Sequence, residues 1–128
     1  MSAHIDDSEL RAFAADLAAA VGQVADAVRP VMSKAGLTIK DAYAAQARGS
    51  SDPGFRRLGG TISYDLIDGG LGVEIGPDRS RGGAAGLAGF FLGWPNGGGG
   101  GGDLDGPLEA EAEVAGKYAA DALRDLLR

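Results

Sequence analysis

The sequence predicts an α+β domain with a long kinked N-terminal helix, a small antiparallel β-hairpin, a glycine-rich loop and a C-terminal helix. Three observations predict it. Apolar residues recur in alternating steps of four and three from Leu10 to Val31, and again from Leu108 to Leu126. The period changes to two on either side of Asp68-Gly69-Gly70. Between hairpin and last helix lies a stretch too rich in glycine for either period, with an unbroken run from Gly97 to Gly102. At 128 residues the chain reads as a single domain, 1–128.

The first helical stretch covers 6–48. Leu10, Ala14, Leu17, Val21, Val24, Val28 and Val31 fall on one stripe. Asp6 and Glu9 have the spacing of a capping box with Asp in place of Ser or Thr. Pro30 lacks a backbone donor and crowds the preceding turn, which predicts a kink or a break. Beyond it, Leu37, Tyr43, Ala44 and Ala47 suit a buried side, with Gly36 as a weak point. Ser50 to Gly54 are turn residues within a connector, which Phe55, Arg56, Arg57 and Leu58 interrupt with bulk and charge.

The hairpin is expected over 60–76. Ile62, Tyr64 and Leu66 face one way, Thr61, Ser63 and Asp65 the other, and Leu71, Val73 and Ile75 alternate after the turn. Over 77–106 the glycine content predicts no regular element, because each glycine loses much backbone entropy on ordering. Yet Leu87, Phe90, Phe91, Leu92 and Trp94 fall in this stretch. Apolar anchors on a loop predict a segment that orders against a partner or folds over the domain's own core. A helix over 107–127 closes the chain, with Glu109, Glu111 and Glu113 near its start and Arg124 and Arg128 near its end, both complementing the helix dipole.

Composition narrows the function. Glycine accounts for 23 residues, far above the usual share of roughly 7%. The net charge of −6 disfavours a free-standing nucleic-acid binder. Charge is uneven: Asp6, Asp7, Glu9, Asp16 and Asp26 against Arg11 make the first stretch acidic, whereas Arg29, Lys34, Lys40 and Arg48 against Asp41 make the next one basic. The chain has no cysteine and one histidine, His4, so thiolate chemistry is excluded and a Ser-His-Asp triad disfavoured. Asp103, Asp105 and the three glutamates read as caps and solvated surface, not as a paired acid and base. The pattern Gly70-x-Gly72-x-x-x-Gly76 lies inside a hairpin and opens no helix, so it is no dinucleotide fingerprint. No cofactor, no metal and no catalytic residue are expected. The acidic N-terminal stretch does not read as a secretory signal and no apolar run is long enough to span a bilayer, so a cytoplasmic site of synthesis is expected. Arg56, Arg57, Arg79 and Arg81 are candidate interaction residues, more suited to pairing with carboxylates of this or a neighbouring chain than to phosphates.

Four stretches carry a resemblance. They are Val28-Arg29-Pro30-Val31 through Leu37-Thr38-Ile39-Lys40-Asp41, Gly60-Thr61-Ile62-Ser63-Tyr64-Asp65-Leu66, Gly72-Val73-Glu74-Ile75-Gly76-Pro77-Asp78 and Leu87-Ala88-Gly89-Phe90-Phe91-Leu92-Gly93. In order and content they resemble the neck and tail-completion (minor tail, head–tail joining) proteins of long-tailed bacteriophages, in particular those infecting actinobacteria. Leu92 stands where that family commonly has a carboxylate, and the glycine run is unusual for it. The resemblance implies a structural virion protein without catalysis. It would form a ring, commonly a hexamer, between the head-completion (stopper) protein and the tail terminator and tail tube. Genomic DNA would pass through without specific binding, and an acidic channel wall would repel its phosphates. Phe90, Phe91, Leu92 and Trp94 are the expected docking element. The alternatives are the tail terminator ring itself, a non-phage helical partner-binding module, and a small hydrolase using Asp and Glu.

Overall fold

The computed structural model describes residues 7–78 and 80–128. The expected capping residue Asp6, the lone His4 and the candidate Arg79 lie outside the described residues. The order of elements is α1 (Asp7–Arg48), α2 (Pro53–Leu58), a 3₁₀ turn, β1 (Ile62–Ile67), a second turn, β2 (Gly72–Pro77), α3 (Ala84–Leu92) and α4 (Asp105–Leu126). The fold is α+β, as the alternation of periods predicts.

Helix α1 is the spine. It runs unbroken for 42 residues with Pro30 inside it, so the expected break does not occur. A proline in a helix interior costs roughly 3 kcal/mol. Packing on both sides of it offsets that cost: Val28 one half-turn before and Ala35 beyond are both buried. At about 1.5 Å per residue the helix is some 60 Å long.

The hairpin lies along one flank of α1. The pairs Ile62↔Pro77, Tyr64↔Ile75 and Leu66↔Val73 alternate with Ser63↔Gly76, Asp65↔Glu74 and Ile67↔Gly72. The first set faces α1 and the second faces away, as a strand period of two requires. Gly36 sets the approach. A Cβ there would stand 2.6 Å from Val73 Cγ2 and 2.7 Å from Tyr64 Cδ2. The residue that looked like a weak point of the helix is thus where the sheet is seated. At the turn, Arg29 Nη2 donates to the Gly69 carbonyl oxygen at 2.7 Å, fixing the hairpin tip to the helix.

Helix α4 packs antiparallel to α1. Its first turn is held by Tyr43 Oη, which donates to the Leu104 carbonyl oxygen at 2.7 Å, and by Gln46, which bonds Asp103 N and O at 2.6 and 2.8 Å. Further along, Tyr118 lies beneath Lys34. The helix starts two residues before the expected 107, with the Asp103 carboxylate accepting from Gly106 N at 3.0 Å.

Two expectations fail between these elements. The connector contains α2, begun by Asp52 Oδ1 accepting from Gly54 N and by Pro53 in the first turn. The glycine-rich stretch contains α3, nine residues long. Leu87, Phe90 and Phe91 stand at i, i+3 and i+4, so a helix places all three on one face, and burial of that face outweighs the glycine cost. The core is small. Ile39, Tyr43, Ala44, Ile62 and Leu87 form its centre, with Leu58, Ile75, Phe91 and Leu104 against it. Leu37, expected inside, is exposed, because it stands on the side of α1 away from both α4 and the hairpin.

Candidate interaction surface

The four expected docking residues divide in two. Phe90 is buried against Phe55, with ring centroids 5.2 Å apart, and Phe91 meets Tyr43 edge-on at 5.3 Å. The Phe90 ring is part of the domain's own core, and Phe91 is half-buried against that core. Leu92 is 74% exposed and Trp94 41% exposed. The Trp94 indole lies against Gly89, where any Cβ would collide with it.

The glycine run does not trail away. Gly100 N donates to the Gly89 carbonyl oxygen at 3.0 Å and Gly102 N to that of Phe90 at 3.1 Å, so the chain returns along α3. Gly97, Gly98, Gly99 and Gly100 all have φ between +69° and +94°. Other residues pay about 1–2 kcal/mol each in that region. Four consecutive left-handed residues therefore require glycine, which gives the run a structural reason.

The arginines are scattered in role. Arg56 Nη1 donates to the carbonyl oxygens of Ser50 and Ser51, both at 3.1 Å, and holds the α1–α2 corner. Arg81 donates to the Gly60 carbonyl oxygen at 2.7 Å and approaches the Asp78 carboxylate at 3.6 Å. Arg57 is exposed, with no side-chain partner among the described residues. Among the described residues of this set, Arg81 alone pairs with a carboxylate of its own chain.

The outer face of the hairpin is acidic. Asp65 and Glu74 stand directly opposite each other, both exposed, an arrangement that disfavours the sheet by itself. Asp78 borders the same concave face with Ser63 and Ala84. Its carboxyl is held below the ordinary range by hydrogen bonds from the Ser80 hydroxyl and backbone, with Arg81 adding to the effect. Among the described residues no group of three or more His, Cys, Asp or Glu is arranged to hold a metal ion.

A long uncovered feature is the N-terminal part of α1, a helix whose length the sequence already makes too great for a compact 12.9 kDa body unless it kinks or packs against other subunits. From Asp7 to Gln23 every residue of α1 is exposed, so about 25 Å of helix projects beyond α4 and the hairpin. Leu10, Phe13, Leu17 and Val21 line one side of this arm, with Phe13 65% and Leu17 56% exposed. Helix α1 has 42 residues and its partner α4 only 22, so α4 leaves part of the stripe uncovered. A second uncovered region lies beside it in the fold. Pro30, Val31 and Lys34 of α1 and Glu111, Val114, Ala115 and Tyr118 of α4 line an open groove of about 210 Å³.

No family model, no curated protein and no solved structure matches the chain. Among the described residues no helix is long and apolar enough to cross a membrane.

Proposed function

We propose that the chain is a structural, non-catalytic protein of the head–tail interface of a long-tailed bacteriophage. It is one subunit of a ring, commonly six-fold, that joins the head-completion protein to the tail terminator and tail tube. Its place is the head–tail joint of the virion, after assembly in the cytoplasm of the bacterial host. Genomic DNA passes through it without specific binding.

One observation carries the self-assembling part of this reading. Among the described residues, Leu10, Phe13, Leu17 and Val21 form an exposed apolar stripe along a projecting helix. A 17-residue helical arm held on one side only is marginal in water and gains stability when its apolar stripe is covered. The four stretches described above supply the identity of the assembly. The acidic hairpin face suits a surface that DNA slides past, since like charge keeps phosphates from adhering.

The experiment is a phage genome with this gene removed. The expected result is DNA-filled heads and separate tails of normal length. Normal tailed particles overturn the proposal, and tails of uncontrolled length make the chain the tail terminator instead.

A further inference from the structure

The geometry points to a specific contact: the arm of one copy, Asp7–Gln23, lies in the groove between α1 and α4 of the next copy. This deepens the ring reading and rests on it for the identity of the occupant.

Three features lead there. The first is continuity of the helix face. Leu10, Leu17, Val24 and Val31 are seven residues apart, as are Ala14, Val21, Val28 and Ala35. This is a heptad seam of the kind that packs helix against helix. Where α4 covers it, Val28 and Ala35 are buried; on the arm the same seam is bare. The second is rigidity. The arm and one wall of the groove belong to the same unbroken helix, so the arm cannot fold back into its own groove. The occupant of each must come from another molecule.

The third is charge on both edges. Glu9 and Asp16, seven apart, flank one edge of the arm's stripe, and Arg11 with Asp7 one turn before it flanks the other. Neither Glu9 nor Asp16 has an ion-pair partner among the described residues. The groove has Lys34 on its α1 rim and Glu111 on its α4 rim. Lys34 has no carboxylate within 4 Å among the described residues and only the Tyr118 ring beneath it, 5.9 Å from the centroid. An arm laid in the groove with Glu9 and Asp16 towards Lys34 brings Arg11 towards Glu111. Phe13 and Leu17 then cover Val114 and Tyr118, both exposed in the single chain. Arm and groove are different patches, so the contact is head-to-tail, and it closes into a ring if the rotation between copies permits.

The absence of cysteine makes a clean test possible. Two proteins are made, one with Leu17→Cys and one with Tyr118→Cys; both positions are exposed, and circular dichroism checks that each folds. After mixing and mild oxidation, the expected product is a disulfide between the two different chains, with little Leu17→Cys homodimer. Lys34→Glu should weaken self-association by about tenfold, and adding Asp16→Lys to it should restore the affinity. A dominant Leu17→Cys homodimer places arm against arm and overturns the inference. So does an assembled ring without the mixed disulfide, which leaves the ring reading intact. A mixed disulfide from a protein whose removal leaves normal tailed particles does the reverse: the contact stands and the phage reading falls.

Discussion

Tyr43 on α1 donates its hydroxyl hydrogen to the Leu104 carbonyl oxygen at 2.7 Å, and that bond closes the domain where the last turns of α1 meet the first turn of α4. Tyr43 is at once a core residue and a tie between the two longest helices. Burial raises its pKa above the ordinary value near 10, and the nearby Asp105 and Asp103 carboxylates add to the shift.

The consequence is alkaline lability. The folded state holds the phenol proton more tightly than the unfolded chain does, so this contribution to stability is complete below pH 10. It is lost as pH rises through the folded-state value. The melting temperature should fall from about pH 10 upward. In Tyr43→Phe that part of the alkaline fall should disappear, with a loss of roughly 1 kcal/mol at neutral pH from the missing hydrogen bond.

Gly36 and Gly22 should respond to alanine with opposite sign. Both stand in α1, where alanine is intrinsically favoured by up to about 1 kcal/mol. At Gly22 a Cβ meets nothing within 4 Å, so Gly22→Ala should raise the helical signal and leave the body unchanged. At Gly36 it meets Val73 and Tyr64 at under 3 Å, and overpacking there costs about 1–3 kcal/mol. Gly36→Ala should lower the melting temperature in a thermal scan.

Phe90 and Leu92, two residues apart, should also separate. Phe90→Ala opens the contact with Phe55 and Phe91 and should destabilise by about 3 kcal/mol or more in urea titration. Leu92→Ala removes a side chain that is mostly solvated and should stay within about 0.5 kcal/mol of the parent. Equal effects would contradict the placement of α3.

The glycine run should resist substitution at its left-handed positions. Gly100→Ala, at φ +75°, should cost about 1–2 kcal/mol. Gly101→Ala lies in open space and outside that region, and should be silent in the same thermal scan.

Much of this fold was legible in the residues. Alternating fours and threes marked α1 and α4, and Asp68-Gly69-Gly70 between two runs of period two marked the hairpin with its inward Ile62, Tyr64 and Leu66. Helix α3 is masked by the glycine content of the stretch around it, although Leu87, Phe90 and Phe91 carry the spacing of one helical turn. Of the two roles the apolar anchors of this stretch allow, Phe90 takes the one of folding over the domain's own core, with Phe91 half-buried beside it. Pro30 does not break α1: its local cost is real, but the seam continues across it and Val28 and Ala35 on either side are buried. The excess length of α1 was legible, but not which end is bare, since periodicity tells which face of a helix is apolar and not how far along that face a partner extends.

The central claim is that the chain works by assembling with itself through the exposed stripe of α1. Sedimentation velocity of the purified chain tests it most directly. The account predicts a discrete closed multiple of the 12.9 kDa subunit, larger than a dimer, which Phe13→Asp with Leu17→Asp reduces to monomer without loss of the folded body. A single species of subunit mass at tens of micromolar, unchanged by those two substitutions, would contradict it.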